Sequence, residues 1–362
     1  MARVRLKTLA ADLGLGEGTV SRALNGYPDI SERTRLRVQE AAERLGYTPN
    51  PTARRLAKGV SETAAYLMPS GDPLIGQPFT GQLLVGLGEE LSKRGWDLQV
   101  VLIAEGDETD AVERLARSGR VGGVVLSRPH RYDARIRSLQ AAKVPFVVHG
   151  RSEQHDDYAW FDVDGTKAFA DAVDHLIGLG HTHIAFVGGP STYTFVHMRL
   201  DGYKNGLEAN GVPFDQNFVV FDELTDDGGQ RAAGHLLDMG EQQSQRPTAI
   251  LCATDTQAMG ALNAIRARGL VPGKDVSVIG YDGLHWGRHT NPPLTTMVQP
   301  QADAGRRLGE MLLAIIDGGD PRDNQELRGA QLLRRKSDGP APASGPRQNL
   351  QPKNESIGRT IS

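Results

Sequence analysis

The sequence predicts an α/β protein in two parts: an all-α head within the first sixty residues, then a body built on parallel sheets. Three observations predict this. Residues 6–45 show only helical spacing, short apolar runs alternate with helical periods from about residue 62, and the charge divides at the same place. Residues 1–60 hold 11 Lys+Arg against 6 Asp+Glu, a head of +5 on a 362-residue chain of net −3, which leaves −8 for the remainder. A basic head on an acidic body suits a polyanionic partner, although a solvated helical face gives the same count.

The length exceeds one typical domain, and 39% hydrophobic residues supply cores for two or three. Cys252 is the single cysteine, which excludes an intramolecular disulfide and a cysteine-ligated structural zinc. The opening "MARVRLKTLAADLG" turns polar too soon for a secretory signal, and no 18 apolar residues run together. A soluble cytoplasmic protein with no membrane partner is expected.

In the head, Leu6, Leu9, Ala10 and Leu13 fall on one face of a short helix that Gly14 ends. A second helix over about 17–24 buries Val20, Ala23 and Leu24. The third starts after Ser31, a good N-cap, and buries Val38, Ala41, Ala42 and Leu45 before Gly46. Three short helices with a tight glycine-containing turn between the first two describe a helix-turn-helix.

In that motif the second helix enters the DNA major groove, so its outer face must be polar and small. Glu17, Gly18, Ser21 and Arg22 meet that demand. Arg22 can pair bidentately with a guanine, and Thr19 and Ser21 suit phosphate oxygens, with Asn25 at the helix end. An ordinary helical bundle with a solvated surface would show some of the same features. Beyond Gly46, "YTPNPTARRLAKG" sets Arg54, Arg55 and Lys58 around Leu56. It is too short to be a stable free helix, and it suits either folding on contact with the minor groove, with the leucine as a wedge, or a plain linker.

In the body the runs "TAAYLM", "DLQVVLI", "VGGVVLS", "PFVVHG", "HIAFVGG", "FVVFDE", "AILCATD" and "VSVIGYDG" alternate with helices, implying right-handed βαβ units. Ligands of such sheets bind beyond the carboxyl ends of strands. Those ends carry Gln77 to Phe79, Ser127 to His130, His149 to Arg151, Thr254 with Asp255, and Tyr281 with Asp282. Aromatic faces combined with Arg and Asp can stack on a sugar ring and bond adjacent hydroxyls, although Asp255, at a helix start, equally suits a cap.

The stretches "LGEGTVSRALNG", "ISERTRLRVQEAAERLGYTPN" and "PTARRLAKG" closely resemble the DNA-binding head of lactose-repressor-type transcriptional regulators. The resemblance continues through "LGHTHIAFVGGP", "RLDGY", "ATDTQAMGAL", "DVSVIGYDG" and "PPLTTMVQP", covering roughly residues 4–335. It implies a head over 1–49, a hinge helix and linker over 50–60, and a two-lobed periplasmic-binding-protein-like effector and dimerisation body over 61–336. It also implies that Glu17, Gly18 and Arg22 read the operator, that Leu56 opens the minor groove, and that Arg199, Asp282 and Gln299 contact the ligand. His149 beside Arg151 falls at a polar ligand-facing place, and Phe79 and Trp160 where aromatics stack. Two departures stand out. Arg5 and Gly16 occupy the usual Ser/Thr positions before the first two helices, and Thr254 stands where many sugar binders have Asn.

His181 with His183, and His285 with His289, lack a supporting ligand at metal spacing, so no metal is expected. "VGLGEEL" is not a dinucleotide fingerprint, and neither a nucleophile elbow nor a P-loop is present, so no cofactor and no enzyme are expected. Residues 337–362, rich in Pro, Ser and Gly, read as a disordered tail. The resemblance thus implies a homodimer or tetramer on a pseudopalindromic operator, controlled by a small sugar or oligosaccharide. A purine-type corepressor is the alternative ligand, and a sugar-binding transport protein the alternative class.

Overall fold

The computed structural model describes residues 6–24, 27, 29–47, 61–69, 78–104, 106–153, 157–243 and 246–343. The head contains α1 (Leu6–Leu13), α2 (Glu17–Leu24) and α3 (Glu32–Leu45), at the limits the local signals predict. Ser31 caps α3 by accepting from the Thr34 amide at 3.3 Å, and Gly46 ends it in the left-handed conformation, φ +64°. Leu9, Val20 and Val38, fully buried, form the centre of a small core with Ala10, Ala23, Ala41 and Ala42.

The body is two lobes, each a six-stranded sheet covered by helices. The first lobe runs β1 (Thr63–Pro69), α4 (Pro78–Lys93), β2 (Asp97–Ile103), α5 (Glu108–Arg117), β3 (Gly123–Ser127), α6 (Ala134–Ala142), β4 (Phe146–His149) and β5 (Ala159–Val163). The chain then builds the second lobe: α7 (Gly165–Gly178), β6 (Ile184–Gly188), α8 (Thr194–Ala209), β7 (Val219–Phe221), α9 (Asp226–Gln243), β8 (Ala249–Cys252), α10 (Asp255–Ala267), β9 (Ser277–Asp282) and β10 (Thr295–Val298). It returns to the first lobe for α11 (Gln301–Ile316) and β11 (Gln325–Arg328), and crosses once more for β12 (Gln331–Leu333).

The first sheet is parallel throughout, in the order β11-β5-β4-β3-β1-β2. The second has the order β12-β10-β9-β8-β6-β7, with only β12 antiparallel. Near-continuous burial of β3, β6 and β8 reflects helices on both faces, which is why those strands read as unbroken apolar runs. All eight runs expected to be strands are strands. The alternating β5, "AWFDV", and the short β10, β11 and β12 lie outside those eight runs because none of them carries a long apolar stretch.

The first glycine of "VGLGEEL" has a packing reason. A Cβ at Gly86 on α4 would lie 2.0 Å from the Ala302 carbonyl oxygen, and one at Gly305 on α11 would lie 2.1 Å from that of Leu83. The two glycines let these helices touch backbone to backbone, which anchors the returning segment to the first lobe.

The expected tail begins too early. Ser337 and Asp338 are buried in the second lobe: Ser337 Oγ receives the Thr295 amide at 2.8 Å and donates to the Val278 carbonyl at 2.6 Å, and Asp338 pairs with His175 at 2.7 Å. Composition suggested disorder, but these small polar residues complete hydrogen bonds that β9 and β10 would otherwise leave open. The domain expected to end at 336 therefore extends at least to the described residue 343.

Candidate functional site

Two surfaces gather the residues singled out by sequence. On the head, α2 turns Val20 and Ala23 inward and leaves Glu17, Gly18 and Arg22 exposed, with Thr19 and Ser21 half-buried. A helical glycine costs about 1 kcal/mol relative to alanine. At Gly18 an added Cβ would meet nothing within 4 Å, so the fold of the head does not require it. Its bareness leaves room for close approach from outside. Asn25, Arg54, Arg55, Leu56 and Lys58, together with Gln77, lie outside the described residues.

On the body, strand ends of both lobes and the face of α8 line a partly open cavity between the lobes. Phe79, Arg128, His149 and Asp162 come from the first lobe, and Phe195, Met198, Arg199, Thr254, Asp282 and Gln299 from the second. Phe79 stacks on His149 with ring centres 5.9 Å apart. Arg199 is held with its guanidinium carbon 3.8 Å from the Tyr281 ring centre and 4.5 Å from that of Phe195, donating to the Ala253 carbonyl. Its Nε is buried without a hydrogen-bond partner among the described residues.

Asp282 has φ +125°, unusual for a residue with a side chain and costing of order 1–3 kcal/mol. Several bonds hold it there. Gln299 donates to its carboxylate at 2.9 Å and Gln301 to its carbonyl at 2.6 Å. Asp255 fixes the turn that follows, accepting the Leu284 amide and the Thr296 hydroxyl, each at 2.6 Å.

Burial shapes the charges. It raises the Asp282 carboxyl to about 8 against the opposing pull of Arg199, and it raises Asp162 although Arg151 opposes the shift. His149 is lowered to about 4, first by burial and then by repulsion from Arg128 and Arg199, so it is a neutral imidazole near neutral pH. The site offers a carboxyl able to donate as well as accept, a neutral ring, an amide and a guanidinium between apolar walls. That set suits hydroxyl groups on an uncharged ring.

Six of the nine expected effector residues line the cavity: Phe79, His149, Arg199, Thr254, Asp282 and Gln299. Three do not. Arg151 donates to Asp162 at 2.8 Å and lies over the Trp160 ring at 5.1 Å, so both Arg151 and Trp160 stand behind the wall that Asp162 presents. Asp255 is fully buried as the staple described above, the structural role its place at a helix start allowed. Six lining residues were missed, Arg128 as an individual and Asp162, Val163, Gly165, Phe195 and Met198 entirely. Phe195, Met198 and Arg199 share the i, i+3, i+4 stripe of one helix face, a signal available once Arg199 faces the cavity.

The histidine pairs are structural. His181 bonds Thr248 at 2.9 Å and the Gly339 carbonyl at 2.9 Å, while the His285 and His289 rings lie tilted by 48° with centres 5.9 Å apart. Among the described residues no group of three or more His, Cys, Asp or Glu is placed to hold a metal, and no helix is long and apolar enough to cross a membrane.

Comparison with known proteins agrees with this geometry. Residues 6–50 match the family described as bacterial regulatory proteins, lacI family, and residues 173–337 match the periplasmic binding protein-like domain. The chain is 39% identical over 354 residues to the HTH-type transcriptional regulator AglR of Rhizobium meliloti (strain 1021), spanning 96% of this chain and 98% of the relative. It is 33% identical to the HTH-type transcriptional regulator CelR of Thermobifida fusca, over 87% of this chain and 93% of that one. Among solved structures, the lac repressor dimer bound to operator and the anti-inducer ONPF superposes with a TM-score of 0.78 at 26% identity, over 93% of this chain and all of that one. The CelR-cellobiose complex superposes with a TM-score of 0.72 at 31% identity, over 92% of this chain and all of that one.

Proposed function

The chain belongs to the lacI family of bacterial regulatory proteins, and from that premise we propose that it is a cytoplasmic repressor of carbohydrate-utilisation genes whose grip on operator DNA is set by a small neutral sugar or oligosaccharide held between its lobes. The observation that carries this reading is the composition of the cavity. Its polar lining is largely neutral near pH 7, with the Asp282 carboxyl raised to about 8, the uncharged His149 ring and the Gln299 amide, and this set suits the hydroxyl groups of an uncharged ligand. Its remaining groups pair apolar ring faces with hydroxyl partners. The CelR relative was solved with cellobiose.

Both lobes supply lining residues, so an occupant bridges them and favours closure. In a homodimer, closure repositions the two heads on a pseudopalindromic operator. Exposed Val85 on α4 and Val100 and Leu102 on β2 leave an apolar face on the first lobe that a second copy would cover. Leu56 is expected to enter the minor groove on the strength of its motif alone.

The test is a thermal-shift screen of neutral mono- and disaccharides, sugar phosphates and purines against the full chain, followed by operator titration with and without the hit. A neutral sugar should raise the melting temperature and change operator affinity by about 5–150-fold. Arg199→Ala should abolish both responses while operator binding persists. A purine or sugar phosphate as the sole hit, or a normal response from Arg199→Ala, overturns the reading.

A further inference from the structure

Arg22, the cation on the exposed face of α2, is not free to swing. Its Nη1 donates to Oδ2 of Asp29 at 2.8 Å, and its Nε lies 3.4 Å from the Gly18 carbonyl. Asp29 stands between α2 and α3, and the two side chains are 49% and 51% exposed, so the pair lies on the surface of the head. An ion pair this exposed contributes little to stability. Its consequence is for the guanidinium.

Two of the five guanidinium N–H groups, the one on Nε and one on Nη1, are turned toward the protein. One N–H on Nη1 and both on Nη2 have no hydrogen-bond partner among the described residues. Those that project from the two terminal nitrogens have the fork geometry that meets O6 and N7 of a guanine end-on. A guanidinium fixed in advance loses less rotamer freedom on binding than one that must be ordered by DNA.

The carboxylate has a second effect. Phosphate oxygens are presented everywhere along a duplex and attract any unpaired arginine without regard to sequence. An anion 2.8 Å from the guanidinium weakens that attraction and itself repels a phosphate. A guanine edge, neutral and bidentate, is penalised far less.

We infer that Asp29 is a specificity-determining residue of the DNA interface, one that positions Arg22 for a base and disfavours its use on phosphates. The inference rests on the reading of Arg22 as a base contact. The experiment uses the full chain and a duplex operator selected from a randomised pool with the unmodified protein. Asp29→Asn, Asp29→Ala and Arg22→Ala are then titrated against that operator and a random-sequence duplex across a NaCl series, and the selection is repeated with each.

Both Asp29 variants should bind random duplex several-fold more tightly, with a salt dependence steeper by about one counterion per head. The ratio of operator to random affinity should fall about fivefold or more, and reselection should relax the same base pair of each half-site that Arg22→Ala relaxes. An unchanged ratio and salt slope in both variants overturns the inference, as does relaxation at other base pairs. If Arg22→Ala relaxes one base pair while the Asp29 variants keep it tight, only the role of Asp29 falls. If Arg22→Ala leaves every base preference intact, the reading of Arg22 falls and takes the inference with it.

Discussion

Pro129 of the first lobe and Thr194 of the second meet across the cleft: the Pro129 carbonyl accepts both the Thr194 amide, at 3.2 Å, and the Thr194 hydroxyl, at 3.0 Å. The contact extends through an antiparallel bridge between His130 and Tyr193, and the Arg131 amide lies 3.4 Å from the Thr192 carbonyl. The turn is held from behind by the buried Arg135, which pairs with Asp133 at 2.6 Å and donates to the Ser127 and Arg128 carbonyls. One side of this clasp carries Arg128 of the cavity, and the other leads directly into Phe195, Met198 and Arg199. Clasp and cavity therefore share the same two segments.

Thr194→Val removes the hydroxyl donor and keeps the side-chain volume. A buried hydrogen bond contributes about 1 kcal/mol net, so effector affinity should fall about fivefold, with the melting temperature of the unliganded protein nearly unchanged. Isothermal titration with the screened effector checks this. Equal affinities would mean that the clasp is not part of closure.

Gly18→Ala should leave the fold intact and stabilise α2 by up to about 1 kcal/mol, because the new methyl points into open space. With α2 as the proposed groove-reading helix, the same methyl should obstruct the DNA, and operator affinity should fall at least about tenfold, a penalty of roughly 1.4 kcal/mol. Circular dichroism and anisotropy titration together decide it. Retained operator affinity would leave the glycine unexplained.

Asp282 predicts a pH dependence of stability. Its folded pKa of about 8 lies above the ordinary carboxyl value, so the folded protein keeps a proton that the unfolded chain has released. The stability that this proton contributes is complete below the unfolded value and is lost as pH rises through the folded one. Burial raises Asp255 in the same direction, to about 6, whereas lowered His149 adds stability as pH rises toward its ordinary value of 6.5. Above that value the His149 contribution is complete, and stability should fall toward pH 8 through Asp282, with the buried Cys252 thiol, also raised, acting in the same direction only at higher pH. Asp282→Asn should flatten that fall and raise the melting temperature at pH 8 by a few degrees, on the basis of about 1 kcal/mol or more. Parallel melting profiles from pH 6.5 to 9 would contradict the assignment.

Ser337→Ala leaves the buried Thr295 amide without its acceptor and the Val278 carbonyl without one of its donors. Stranded buried groups cost about 1–3 kcal/mol each. The variant should melt several degrees lower while its operator affinity at 20 °C stays within twofold. An unchanged melting temperature would return these residues to the tail that composition suggested.

Much of this protein was legible in its residues alone. The limits of α1, α2 and α3 follow from apolar spacing, Ser31 and two glycines, all signals that act within a turn or two of the chain. The strand ends likewise marked His149, Thr254 and Asp282, because a strand that ends in polar residues shows where the sheet stops. The tertiary structure alone decided which of these residues share a cavity. It placed β5 beside β4, so that Asp162 became a wall and Arg151 its support; it turned Asp255 inward as a staple; and it brought α8 across the cleft to add Phe195 and Met198. It also seated Ser337 among strands some forty to sixty residues earlier in the chain. These assignments depend on sheet order and on three crossings between lobes, contacts whose energy comes from residues far apart in sequence and therefore leaves no local pattern to read.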